Sequence, residues 1–179
     1  QEPLFRSLTP RPASAIFALL LRDLVTGGVL QRQGPYLRLA GHDAQLQGNE
    51  QAMWERVKPW LMEGGIHPPK LSEMLLRDRT LHPAHVTRLL QKLARMGKLY
   101  AVGVEYFILP QHMSELARHA QALADADEHH RLNVKALRER TGMSRHLSMP
   151  LVEFFDHIGF TKRDPVGRKI RRNAQEMFD

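Results

Sequence analysis

LVEFFDHIGFTKRDPVGRKIR, residues 151–171, carries the order of elements that decides the fold. Leu151, Val152 and Phe155 fall at helical offsets and share one face. Gly159 follows, where a helix C-terminus takes positive φ. Asp164-Pro165-Val166-Gly167 then marks the tip of a hairpin. The same order occurs twice upstream, as LLRDLVTGGVLQRQGPYLRL (20–39) and LLQKLARMGKLYAVGVEYFIL (89–109). Aligned on Gly28, Gly97 and Gly159, the copies share apolar residues eight, seven and four positions earlier: Leu20, Leu21, Leu24; Leu89, Leu90, Leu93; Leu151, Val152, Phe155. After the glycine the first two copies read as short strands, Val29 to Arg32 with Tyr36 to Leu39, and Leu99 to Val102 with Tyr106 to Leu109.

A helix ending in Gly before a hairpin is the closing half of a winged helix-turn-helix. The opening halves precede two of the copies. In one, Met53, Trp54, Val57, Trp60 and Leu61 form an apolar stripe, in which Pro59 predicts a kink or an early stop. Leu71, Met74 and Leu75 give a second helix, and Pro83 opens a third. In the other, Ser114 to Ala124 is a first helix and Val134 to Arg140, capped by Asn133, a second. The third helix there starts either at Ser144 or near Pro150. The expected fold is therefore mainly α with small β-hairpin wings, in tandem winged helix-turn-helix domains. The expected domains are 1–48, the C-terminal part of a winged helix; 49–110, a complete one serving as a spacer; and 111–179, a complete C-terminal one.

Charge is unevenly placed along the 179 residues, whose net charge is +7. Residues 131–179 carry eleven Lys and Arg against six acids, whereas 49–130 carry ten of each. Such a basic third points to a polyanionic partner. There is no cysteine, which excludes disulfides, thiol catalysis and zinc fingers. No apolar stretch is long enough to span a membrane. Neither a phosphate-binding loop nor a dinucleotide glycine pattern occurs, and no Ser sits in a nucleophile-elbow context. His82 with His85, and His129 with His130, lack the further ligand that a metal site needs. No catalytic or metal-binding residue is expected.

Lys162 and Arg163 leave the last third helix on the first wing strand; Arg168, Lys169, Arg171 and Arg172 lie on the return strand and just beyond. Lys162 and Arg168 are expected to grip one phosphate backbone, with Ser144, Arg145 and His146 adding contacts at a helix N-terminus. The helix itself carries Glu153 and Asp156 and neither Lys nor Arg after Arg145, which would repel phosphates in a DNA groove. A small clamp of this kind suits a looped or bulged RNA hairpin.

SRHLSMPLVEFFDHIGFTKR, Ser144 to Arg163, resembles the last winged helix of the bacterial selenocysteine-specific elongation factors, the SelB family. The tandem units fit that family's C-terminal string of four winged helices. The resemblance implies that this chain holds the end of the second, the third and the fourth. It also implies a function: binding the selenocysteine-insertion (SECIS) hairpin of messenger RNA, so that selenocysteinyl-tRNA is delivered at UGA on the ribosome. The RNA contacts it implies are Ser144, Arg145, His146, Thr161, Lys162, Arg163, Arg168 and Lys169, to which the basic run adds Arg171 and Arg172. No cofactor is expected in this segment; GTP and Mg belong to N-terminal domains of the full-length factor. A cytoplasmic, monomeric protein is implied. The competing expectations are a winged-helix DNA-binding regulator and an array for protein interaction.

Overall fold

In the computed structural model, residues 14–33, 36–41 and 45–178 are described. The chain divides into two compact units, Gln1–Asp43 and Ala44–Asp179. The first contains α1 (Ser14–Thr26) and the antiparallel pair β1 (Leu30–Gln33) and β2 (Tyr36–Leu39). Ile16, Phe17, Leu19, Leu20 and Leu24 of α1 are exposed. Gly34, in the expected wing tip, lies outside the described residues.

The second unit contains two winged helices. The middle one runs α2 (Gly48–Gly64), α3 (Leu71–Arg77), α4 (Pro83–Arg95), β3 (Tyr100–Val102) and β4 (Tyr106–Ile108). The last runs α5 (Pro110–Asp125), β5 (Arg131–Leu132), α6 (Val134–Thr141), α7 (Arg145–His157), β6 (Thr161–Asp164), β7 (Gly167–Ile170) and α8 (Ala174–Phe178). The architecture is mainly helical with small antiparallel wings, as the repeat pattern predicts.

The three aligned glycines do the same job. Gly28, Gly97 and Gly159 have φ of 71°, 70° and 75°. Behind them, Val29 N–H donates to Leu24 O, Lys98 N–H to Leu93 O, and Phe160 N–H to Phe155 O, at 2.9–3.0 Å. This is one Schellman cap used three times. It ends each helix and starts its wing with the same pair of capping bonds.

The two interior prolines do not end their helices. α2 continues through Pro59 to Gly64, so the early stop that Pro59 suggested does not occur. Pro59 is exposed on α2, where water can satisfy the carbonyl that loses its partner. α7 begins at the Ser144 cap, whose hydroxyl accepts from Leu147 N–H at 3.3 Å, and runs through Pro150. Asn133 caps α6 through its side chain, accepting from Lys135 and Ala136 N–H.

Two apolar cores fill the second unit, and the β3–β4 wing serves both. Leu99, Phe107 and Leu109 join Trp54, Val57, Leu61, Met74 and the buried face of α4. Tyr100, Val102, Tyr106 and Ile108 face the other way, into the core of the last winged helix. Tyr100 meets the rings of Phe154 and Phe178 edge-on at 5.8 and 5.9 Å. Burying side chains of this size contributes about 2 kcal/mol each, so the last winged helix is anchored by its neighbour's wing. The tip of that wing touches α7: a Cβ at Gly103, whose φ is +62°, would lie 3.1 Å from Pro150 Cβ. Pro150 thus packs against a position where only glycine fits.

α8 was not read from the sequence. Ala174, Met177 and Phe178 are buried, and Phe178 stacks edge-on against Phe160 at 5.5 Å. Ala174 N–H donates to Gln121 Oε1 at 2.6 Å. Arg171 and Arg172 are therefore held between a strand and a helix rather than in a frayed tail.

Candidate nucleic-acid interface

The last wing is a three-stranded sheet in the order β5-β7-β6. Its register sorts the basic residues by face. Lys162 pairs with Lys169, which pairs in turn with Arg131. Arg163 pairs with Arg168, and Thr161 with Ile170. Cross-strand partners share a face, so Arg131, Lys169 and Lys162 form one row of three cations. Lys162 and Lys169 are exposed. Like charges directly opposite one another destabilise a sheet, and an anion lying across the row relieves that repulsion.

On the opposite face Arg163 is exposed, but Arg168 and Thr161 are committed to structure. Arg168 is 8% exposed and donates from Nε to Asp156 Oδ2 at 2.8 Å. Thr161 is 2% exposed and donates from Oγ1 to the other oxygen, Asp156 Oδ1, at 2.6 Å. One carboxylate therefore locks the wing to α7. This corrects two expectations. Arg168 does not flank the wing tip beside Lys162; the pleat turns it inward, and Lys169 takes that place. Thr161 is likewise turned into the fold. Asp156 is not a free repelling charge, since Arg168 neutralises it, and Glu153 alone stands exposed on that helix face.

The tip is tight. Asp164 and Gly167 are paired, leaving only Pro165 and Val166 in the turn, so the tip is not elongated. Asp164 Oδ1 accepts from Val166 N–H at 2.9 Å, Gly167 N–H at 2.8 Å and Arg131 Nη1 at 2.7 Å. The Arg131 guanidinium, helped by the two backbone donors against the cost of burial, lowers the Asp164 carboxyl to about 2. Arg131 was missed by sequence reading because β5 is two residues long, too short to show a period.

Beside the wing, Ser144, Arg145 and His146 are exposed at the start of α7, the earlier of the two starts the sequence left open. Ser144 and His146 line a cleft of about 370 Å³ together with His67, Lys70 and Glu73 from the middle winged helix. Sequence reading gave no sign that the middle unit reaches this point. Arg163 is exposed too. Arg171 and Arg172 line a separate recess with Gln121, His130 and Asn173. Among the described residues no group of three or more His, Asp or Glu converges as metal ligands would.

The fold and this surface define the class: tandem winged helices whose last wing presents an exposed basic row. Residues 126–170 match the family model for the winged helix of elongation factor SelB. Over most of its length the chain is similar to the C-terminal region of selenocysteine-specific elongation factors. It is 26% identical to that of Escherichia coli K12 over 164 residues, which are 91% of this chain and 26% of the relative. It is 22% identical to that of Desulfomicrobium baculatum, over 86% of this chain and 24% of the relative. The chain thus spans about a quarter of the length of these relatives. Its fold is that of the mRNA-binding domain of E. coli SelB solved in complex with SECIS RNA, with a TM-score of 0.62 and 22% identity over 71% of this chain and all of that one. A bacterial selenocysteine-specific elongation factor structure aligns with a TM-score of 0.53 and 16% identity, over 92% of this chain and 26% of that one.

Proposed function

We propose that this chain is the messenger-RNA-binding region of a selenocysteine-specific translation elongation factor. Its last winged helix grips a SECIS hairpin, so that the full-length factor delivers selenocysteinyl-tRNA at UGA on the ribosome, in the cytoplasm. Residues 111–179 form the gripping domain, 49–110 the winged helix before it, and 1–48 the end of another. The segment binds and does not catalyse; GTP and Mg are held by a separate domain of the whole factor.

The observation that carries this reading is the exposed Lys162–Lys169 pair on a wing whose sequence and fold both match the SelB winged helix. The row meets one strand's phosphates, and Arg163, exposed beside it on the other face of β6, reaches around the strand to the same backbone. Arg145 and His146 approach from the start of α7, where the free N–H groups of the first turn favour an anion. We assign the contacts to Ser144, Arg145, His146, Lys162, Arg163 and Lys169, with Arg131 fixing the tip. Arg168 and Thr161 support the wing from beneath.

The test is hairpin binding followed by fluorescence anisotropy, using the RNA hairpin downstream of an in-frame UGA in the source organism. The reading requires Lys162→Ala with Lys169→Ala to weaken the hairpin at least tenfold. Arg163→Ala and Arg145→Ala should each weaken it less. Unchanged affinity in the double variant would remove the wing from the site. Tighter binding to a DNA duplex than to the hairpin at equal salt would favour the regulator reading.

A further inference from the structure

The middle winged helix, residues 49–110, looks neutral by count, but its charges are not evenly spent. Its acids are largely engaged with other cations: Glu50 with Lys92 at 2.6 Å, Glu63 with Arg77 at 3.2 Å, Asp78 with Arg56, and Glu105 with Lys70 at 3.9 Å. From Arg79 to Lys98 the sequence contains five Lys and Arg and no acid. Only Lys92 of those five has an ion-pair partner among the described residues. Arg79, Arg88, Arg95 and Lys98 are exposed and unpaired there.

These four lie around α4. The helix buries Val86, Leu89, Leu90 and Leu93 and turns Ala84, Arg88, Gln91 and Arg95 outward along one stripe. Arg79 lies in the turn before the helix, and Lys98 follows its Schellman cap. His82 and His85 stand exposed at the N-terminal end with ring centroids 4.9 Å apart. None of the large exposed apolar side chains belongs to α4. A surface that is basic, polar and free of aromatic or aliphatic anchors fits a nucleic-acid backbone better than a protein partner. In a winged helix-turn-helix, the third helix is the element that normally meets nucleic acid.

We propose that the outer face of α4 is a second RNA-binding surface, taking the backbone of double-helical RNA. The contacts are Arg79, Arg88, Arg95 and Lys98 to phosphates, with Gln91 and His85 able to reach ribose hydroxyls. α4 is about 20 Å long, and it lies across the wide, shallow minor groove rather than entering the deep, narrow major groove of an A-form duplex. Its own wing cannot help, because β3–β4 is buried between the two cores. The choice of RNA over DNA rests on the function proposed above; the existence of the surface does not. The middle winged helix then has a role besides spacing.

The experiment uses the whole chain and a 20-base-pair RNA duplex of arbitrary sequence with no loop, titrated at several salt concentrations. The combined variant Arg79→Ala, Arg88→Ala, Arg95→Ala, Lys98→Ala should weaken duplex binding at least tenfold. It should also flatten the salt dependence by about three to four in log K against log[salt]. Its melting temperature should stay at the wild-type value, since all four side chains are exposed. The variant Lys162→Ala with Lys169→Ala should keep most duplex affinity while losing the hairpin. Equal duplex affinity in the four-fold variant and the wild type would overturn the proposal. So would loss of duplex binding in the Lys162/Lys169 variant alone, which would place all RNA on the last wing. Binding to a DNA duplex of the same sequence, with none to RNA, would overturn the assignment of partner. Failure of the function proposed above would show separately, as hairpin binding that ignores Lys162 and Lys169.

Discussion

The β3–β4 and β6–β7 wings begin from the same glycine-capped helix end and finish in opposite roles. The first is apolar on both faces. Tyr100, Val102, Tyr106 and Ile108 enter one core while Leu99, Phe107 and Leu109 enter another. The second is apolar nowhere on its outer face, where Lys162 and Lys169 stand side by side in water. A third strand, β5, and the Asp156 carboxylate hold that wing in place. The third helices differ in the complementary sense. α4 is basic and free of acids, whereas α7 carries Glu153 and has its Asp156 spent on Arg168 and Thr161. One template therefore yields a buried wing beside a basic helix, and then an exposed basic wing beside a helix whose acid braces it.

Substitution can break this contrast at several points. The largest effect is expected in the buried wing: Ile108→Ala should cost about 3 kcal/mol, against almost nothing for Val166→Ala at the exposed tip. Urea unfolding of both variants measures the difference, and equal losses would mean that the two wings are not packed so differently. Next comes Asp156→Ala, which leaves the Arg168 guanidinium nearly buried without its carboxylate. About 2 kcal/mol of stability should go, and Asp156→Ala combined with Arg168→Met should recover much of it. Smaller again is the loss of RNA affinity in Lys162→Ala with Lys169→Ala, about tenfold or 1.4 kcal/mol. It should come with a salt slope lower by about two, while Val104→Ala at the exposed tip of the other wing changes little. The smallest effect concerns acid. Asp164 titrates at about 2 in the fold, below the ordinary 3.8. A depressed carboxyl stabilises the fold fully above its ordinary pKa, and that stabilisation fades as pH falls toward and through about 2. The Val166 and Gly167 amide resonances should therefore hold steady down to about pH 4 and move below it. Asp164→Asn should abolish that movement; a midpoint near 4 in the wild type would deny the Arg131 contact.

Much of this was written plainly in the chain. The glycine alignment predicted three helix-to-wing junctions, and each has the same positive φ and the same pair of capping bonds. Asn133, Ser144 and Pro83 stand at helix starts because their side chains or missing N–H suit those positions. Of the kink or early stop that Pro59 suggested, the early stop does not occur, because an exposed helix face lets water replace the lost bond. Charge was legible only in part. Composition located the basic third but could not say which cations the pleat would turn inward, so Arg168 was counted as a grip when it is a brace. Averaging over 49–130 gave zero and hid the acid-free run from Arg79 to Lys98. α8 escaped because five residues after a basic run carry too short a period, and Phe178 finds its place only once Phe160 and Tyr100 are assembled around it.

The doubly buried wing also sets the mechanics of the molecule. A string of domains on flexible linkers lets its last bead wander through a wide volume. Here the joint between the middle and last winged helices is filled by Tyr100, Tyr106, Phe154 and Phe178, with Pro150 seated on Gly103. A twist between the middle and last winged helices must therefore break these buried contacts. A ligand bound on the last wing would then sample few positions relative to the middle winged helix, so its effective concentration there would be set by geometry rather than by chance encounter. Loosening that joint with Tyr100→Ala would widen the range of positions the last wing can take relative to α4.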